Sequence, residues 1–147
     1  MKKLISFEHM NKSTEELYRL AFTDQMTGCY NRNMLEEMRS RLETMSLYVT
    51  IVDIDGLKTI NDTQGHSAGD AYIQEVVEDM RDISDCIFRL GGDEFLIITD
   101  HPVQFQMTHA SVGTAYKSHQ TTLHEVMKEA DSRMYIEKRV RKGCLAR

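Results

Sequence analysis

Proline is almost missing from this chain of 147 residues, which holds one, and glycine is sparse at eight. Few breakers mean few, short loops. Cysteine is scarce too: Cys29, Cys86 and Cys144 lie far apart. An odd, scattered set argues against a disulfide frame or paired zinc ligands and fits reduced thiols in a cytosol. No stretch approaches the roughly 18 apolar residues that a membrane span needs. Met1-Lys2-Lys3-Leu4-Ile5 starts like a secretion signal, but Glu8 and His9 cut the apolar run short, so a cytoplasmic protein is expected. Positive charge is in deficit, with 18 Lys and Arg against 23 Asp and Glu and a formal net charge of −5. That balance disfavours a basic nucleic-acid coat or membrane patch, so neither partner is expected. It leaves room for a phosphate ligand, because a metal can reverse the local field.

Apolar residues at 41% and charged residues at 28% are those of an ordinary globular chain, which sets disorder aside. The length fits one domain able to bury about two thirds of its unfolded surface. A helix is expected from Ser13 to about Phe22, with Ser13 and Glu16 spaced as a capping box. A second starts near Asn31 and carries Met34, Leu35, Met38, Leu42 and Met45 on one face, methionines that read as core filling. Residues 47–52 are β-branched and apolar, as in a buried central strand. Ile73, Val76, Val77, Met80 and Ile83 return to helical spacing. Residues 86–89 and 95–98 flank Gly91-Gly92 as a hairpin, and 107–115 is a further strand candidate. A last helix starts at Thr122, boxed by Glu125, and buries Leu123, Val126, Met127, Ala130 and Met134. Helices alternating with strands, plus a hairpin, predict an α/β (α+β) domain with helices packed on a sheet.

Two acidic clusters fall where strands end: Asp53 and Asp55 after the first strand, Asp93 and Glu94 at the hairpin tip. On adjacent strands they would approach closely, and like charges raise one another's pKa unless a counter-charge intervenes. A hard divalent cation, Mg2+ or Mn2+, is the usual remedy; two solvated acidic turns are the plain alternative. Backbone amides around Gly56 at a helix start can cradle phosphate, and Lys58 adds a point charge. Asn61 and Asp70 carry the donor and acceptor groups that read a purine edge. Singly, Lys58 is also a solvated helix face, Asn61 a cap and Asp70 a surface carboxylate. His66, between Gly65 and Gly69, reads as a structural turn residue.

The run Arg89-Leu90-Gly91-Gly92-Asp93-Glu94-Phe95 resembles the signature of the GGDEF family of diguanylate cyclases. Four more motifs stand in the family's order. Thr23-Asp24-Gln25-Met26-Thr27-Gly28-Cys29-Tyr30-Asn31-Arg32 resembles the opening motif, with Met26 and Cys29 where leucines are usual. Residues 53–70, ending Gly65-His66-Ser67-Ala68-Gly69-Asp70, resemble the metal and guanine segment. Ser111-Val112-Gly113-Thr114-Ala115 resembles the late strand, and residues 130–138 the last helix. The resemblance implies a mainly antiparallel sheet like that of nucleotide cyclases and polymerase palms, over 23–147, with 1–22 a short leader helix. It implies condensation of two GTP into cyclic di-GMP, with two Mg2+ or Mn2+ ions per site. Asp53 and Asp93 would bind metal together with the Ile54 carbonyl, and Glu94 would help activate the 3′-hydroxyl. Asn61 and Asp70 would read guanine, while Gly56, Leu57, Lys58, Lys138 and Lys142 would meet the phosphates. Each GTP would lie on one protomer, so a homodimer is expected and a monomer is inactive.

Departures from the pattern carry expectations too. Gly56 and Leu57 replace bulky aromatics. The family's inhibitory Arg-x-x-Asp falls on Asp82-Ile83-Ser84-Asp85, with Arg81 one position off, so that site is degenerate and product inhibition through it is not expected. The closing Lys-x-x-Gly-Arg becomes Lys138-Arg139-Val140-Arg141-Lys142, with Lys142 standing in for the arginine. Between about Thr99 and Met107 only Asp100 to Gln106 remain, reaching about 24 Å, with Pro102 against a helix. The crossover helix is therefore absent, and some of Phe95, Leu96, Ile97 and Ile98 should form a bare sheet face covered by a second copy or a partner. A GTP-binding module that signals by docking is the alternative function. A cyclase of different base choice is a third, disfavoured because a carboxylate at Asp70 suits guanine's paired N–H groups.

Overall fold

The computed structural model describes residues 12–143, so residues 1–11, which include the signal-like start, and 144–147, which include Cys144, lie outside it. Nine elements follow one another: α1 (Thr14–Phe22), α2 (Arg32–Glu43), β1 (Leu47–Ile54), α3 (Leu57–Gln64), α4 (His66–Arg81), β2 (Ile87–Arg89), β3 (Glu94–Thr99), β4 (Ala110–Lys117) and α5 (Leu123–Arg141). The four strands form one sheet in the order β2-β3-β1-β4, with every pair antiparallel. β1 is central, and six of its eight residues are buried, as its mostly apolar sequence requires. Capping chemistry sets the helix starts. Ser13 accepts from the Glu16 amide, Asn31 accepts from the Met34 amide, and Thr122 and Glu125 form a reciprocal capping box.

The period of two along the strands divides the core. Val49, Ile51, Phe88, Leu96, Ile98 and Ala115 face Leu35 and Leu42 of α2 and Val126, Ala130 and Met134 of α5. Val52, Ile54, Ile87, Phe95 and Ile97 face Ile73, Val76, Val77 and Met80 of α4. Both faces are covered, which corrects the expected bare face. Phe95, Leu96 and Ile97 are fully buried, and Ile98 is 8% exposed. No helix lies between β3 and β4, as the short spacing predicted. α4, whose 16 residues span about 24 Å, covers most of that face, and Phe105 and Met107 of the connecting segment pack into the same cluster.

Some boundaries differ as well. β4 begins at Ala110, not Met107, so the link runs over 100–109 and gains the reach to return along a strand. α2 ends at Glu43, which leaves Met45 outside its face and 48% exposed, and α4 ends before Ile83.

Lys117, at the end of β4, is fully buried. Its Nζ donates to the carbonyls of Glu43 (2.9 Å), Met45 (3.2 Å) and Ser118 (3.0 Å), tying the end of α2 to the sheet. Lys117→Met keeps the stem and strands three acceptors. A loss of about 3 kcal/mol is expected in urea unfolding; a loss under about 1 kcal/mol would show that the three carbonyls find water.

Candidate functional site

The centre of the site follows from strand register. Asp53 on β1 is paired with Glu94 on β3 and Ser111 on β4, and the Ile54 amide donates to the Asp93 carbonyl at 2.9 Å. The two acidic clusters thus meet at one end of the sheet, as expected for strands that are neighbours. The β2–β3 turn that carries Asp93 is held from inside. Arg89 donates to the carbonyls of Gly91 (3.2 Å) and Gly92 (2.8 Å) and to Asp24 Oδ2 (2.9 Å). Burial alone would raise the Asp24 carboxyl, but hydrogen bonds from Thr27 and the Arg89 contact outweigh it and hold the group below its usual range. Arg32 Nε adds a bond of 2.7 Å to the Leu90 carbonyl.

Asp53 carries the strongest chemical signal. Its Oδ2 accepts from Lys138 Nζ at 2.9 Å, while its Oδ1 is buried without a hydrogen-bond partner. Burial pushes its carboxyl up, with the Asp93 and Asp55 charges acting in the same direction and Lys138 opposing them. Glu94 is raised too, by burial first and then by the charges of Asp131, Asp53 and Asp93, against Arg32. An orphaned buried carboxylate oxygen among like charges is the environment that a divalent cation relieves. Among the described residues no three His, Cys, Asp or Glu side chains gather as a metal cage. Mg2+ takes one or two carboxylates and completes its shell with water and phosphate. Asp53, Asp93 and the Ile54 carbonyl are the residues able to hold it.

The phosphate candidates lie next to this pair. Gly56 adopts the left-handed conformation (φ 71°, ψ 16°) and starts α3 without a side-chain cap, leaving the first amides of the helix free of an intrahelical acceptor. Leu57 is half-buried, and Lys58 is exposed on the same turn. Lys138 and Lys142 line a cleft of about 570 Å³ with Asp53, Met134, Tyr135 and Arg139.

Asn61 is half-buried with its side chain against Gly69 at the α3–α4 corner, and Asp70, the next residue, is exposed. A Cβ at Gly69 would lie 1.7 Å from Asn61 Oδ1, so only glycine lets the two helices close on that side chain. His66 stands exposed at the start of α4, outside these contacts. Where the inhibitory motif would fall, Ser84 Oγ donates to the Ile98 carbonyl, and the preceding Arg81 donates to the Thr27 carbonyl at 2.7 Å.

Three arginines make contacts around the site that the motifs did not assign. Arg32 and Arg89 shape the hairpin tip through carbonyls that no residue pattern reveals. Arg141, a spectator by motif, bonds to Asp55 and to the β3–β4 link.

Residues 21–110 match the family described as "Diguanylate cyclase, GGDEF domain". Over 153 aligned residues the chain is 33% identical to the "Probable diguanylate cyclase DgcJ" of Escherichia coli (strain K12), covering 84% of this chain and 31% of that protein. The coiled coil and GGDEF domain of DgcB from Caulobacter crescentus, solved in complex with c-di-GMP, superposes with a TM-score of 0.73 at 24% identity, over 90% of this chain and 86% of that one. A microbial GGDEF domain solved with cyclic di-GMP gives a TM-score of 0.67 at 29% identity, over 83% and 93% of the two chains. No helix among the described residues is long and apolar enough to cross a membrane.

Proposed function

Because the chain belongs to the GGDEF domain family, we propose that it is a diguanylate cyclase, which condenses two GTP into cyclic di-GMP with release of two pyrophosphates. The observation that carries this reading is the buried, unpartnered Oδ1 of Asp53, whose other oxygen Lys138 bonds and whose carboxyl the Asp93 charge helps to raise. An enzyme retains such a destabilising group where a ligand later satisfies it. Two Mg2+ or Mn2+ ions, held by Asp53, Asp93 and the Ile54 carbonyl, would supply neutralising charge for an in-line phosphoryl displacement.

The chain's own residues do the rest. Glu94, its carboxyl raised by burial and neighbouring charge, accepts the proton of the 3′-hydroxyl and holds that oxygen for attack. The amides of Leu57 and Lys58 at the start of α3, with Lys58, Lys138 and Lys142, orient the triphosphate. Lys138 serves twice: it neutralises Asp53 in the free protein and turns to phosphate when the nucleotide arrives. Asp70 accepts from the guanine N1–H and N2–H groups, and Asn61 takes the remaining polar edge. Each protomer presents one GTP, so two copies must face each other. The degenerate Arg-x-x-Asp leaves product inhibition without its guanidinium.

Incubation with GTP and Mg2+, with products separated and identified by mass, tests the reading. Cyclic di-GMP with a steeper than linear dependence on protein concentration is the expected result. Tight GTP binding without product would replace the cyclase by the docking module, and a mixed or adenine dinucleotide would overturn the base assignment.

Base reading has its own test at Gly69. The group a new Cβ meets there is the movable end of a side chain, so Gly69→Ala should keep the fold within about 1 kcal/mol. It displaces Asn61, and the expected outcome is a KM for GTP raised about tenfold with kcat nearly unchanged. An unaltered KM would remove Asn61 from the site.

A further inference from the structure

Two departures from the family pattern lie far apart in sequence and touch in space: the shortened β3–β4 link, and an arginine in α5 where the motif has glycine. Arg141 Nε donates to Asp55 Oδ2 at 2.9 Å, its Nη1 donates to the Met107 carbonyl at 3.2 Å, and its Nη2 donates to the Thr108 carbonyl. Glu137 Oε1 lies 4.0 Å from Nη1, one turn back on the helix. One guanidinium therefore fastens the end of the last helix to the β4 end of the link and to Asp55, just past the end of β1. Asp55 is the node it grips. Oδ1 of Asp55 accepts from Ser111 Oγ (2.8 Å), its amide donates to the His109 carbonyl (2.9 Å), and its carbonyl accepts from Tyr72 Oη of α4 (2.8 Å). Both carboxylate oxygens and both backbone polar groups of Asp55 are thus engaged, by β4, α5, the link and α4.

Asp55 joins two parts of the nucleotide site. It follows Ile54, whose carbonyl is a proposed metal ligand, and precedes Gly56, which opens the amides of α3. An ionic fork of fixed geometry holds this corner. We propose that Arg141 is a positioning residue for the triphosphate, clamping the turn 55–58 through Asp55 and closing the short link. The inference deepens the cyclase reading of the same site and rests on it for the ligand, while the clamp itself is a property of the free protein.

The test compares the parent with Arg141→Met, Arg141→Lys, Asp55→Ala and the Asp55→Ala/Arg141→Met pair. In the free protein, hydrogen exchange in peptides covering 55–58 and 107–110 should quicken at least about tenfold in Arg141→Met, with β1 and β3 unchanged. With GTP and Mg2+, KM should rise about tenfold and kcat should fall less than about threefold. Arg141→Lys should not restore either quantity, because one ammonium cannot span three acceptors in a fork. The double variant should lose no more than the worse single one, since both break the same contact. Exchange unchanged at 55–58, exchange raised evenly across the fold, or effects that add would each overturn the clamp. A parent without turnover would sink the cyclase reading, and the exchange experiment would still decide for or against the clamp.

Discussion

Asp53→Asn should lose turnover by about a thousandfold or more, the several kcal/mol that a metal's charge stabilisation supplies, while the domain stays at least as stable at neutral pH. The two halves of this result have one cause. Burial and the neighbouring Asp93 and Asp55 charges raise the Asp53 carboxyl in the folded protein even though Lys138 bonds to it. A carboxyl raised on folding binds its proton more tightly in the folded state, so its ionisation weakens the fold as pH climbs through the folded pKa. Asparagine has the same shape without the charge, and the penalty disappears. The stability difference between variant and parent should therefore shrink on acidification, as Asp53 takes up its proton. Added Mg2+ should raise the melting temperature of the parent and leave Asp53→Asn unmoved. Retained turnover would remove Asp53 from the metal site, and a large fall in stability would make it a structural residue instead.

Gly113→Ala has the largest expected effect on the fold. α5 lies directly on β4, and a Cβ at Gly113 would stand 2.1 Å from the Ala130 carbonyl oxygen and 2.2 Å from the Met134 amide nitrogen. Both atoms are helix backbone and cannot turn aside. The whole helix must lift, pulling Val126, Ala130 and Met134 away from the cluster they share with Val49 and Ile51. At least about 3 kcal/mol should be lost in urea unfolding, at the upper end of overpacking costs because backbone rather than a rotamer gives way. The same lift carries Lys138 away from Asp53, so molecules that do fold should also bind nucleotide more weakly. Gly92→Ala, where nothing lies within 4 Å, is the contrast and should change stability by less than about 0.5 kcal/mol. Equal stability of the two variants would mean that α5 shifts without cost.

How much of this was legible in the sequence depended on the range over which each signal acts. Caps at Ser13, Asn31 and Thr122 are local chemistry within a few residues, and the helices start beside them. The alternation in 95–98 marked both faces of β3 as apolar, but which helix covers Phe95 and Ile97 is a matter of tertiary arrangement. A missing helix therefore suggested a bare face that α4 in fact fills. The strand after the link was placed three residues early because Met107 is apolar for packing rather than for pairing. Asp53 and Asp93 could be matched because both stand at strand ends that register brings together. Arg141 could not, since a departure in the last helix and a deletion between two strands share no periodicity; only the fold makes them neighbours.

The central place of β1 also governs how this chain comes to be folded. Its partners are β3 and β4, and Leu47 must wait for Lys117 to complete its ladder. The helix that seals the same side, α5, is made later still. Closing such long loops costs entropy before the contacts reward it, which slows folding in proteins dominated by distant pairings. During synthesis, the apolar run of β1 has neither neighbouring strand while the helices α3 and α4 are emerging. The domain should thus reach its native state only after α5 has left the ribosome, in one late, cooperative step. Until then the exposed edges of β1 are where chaperones would bind and where aggregation would begin.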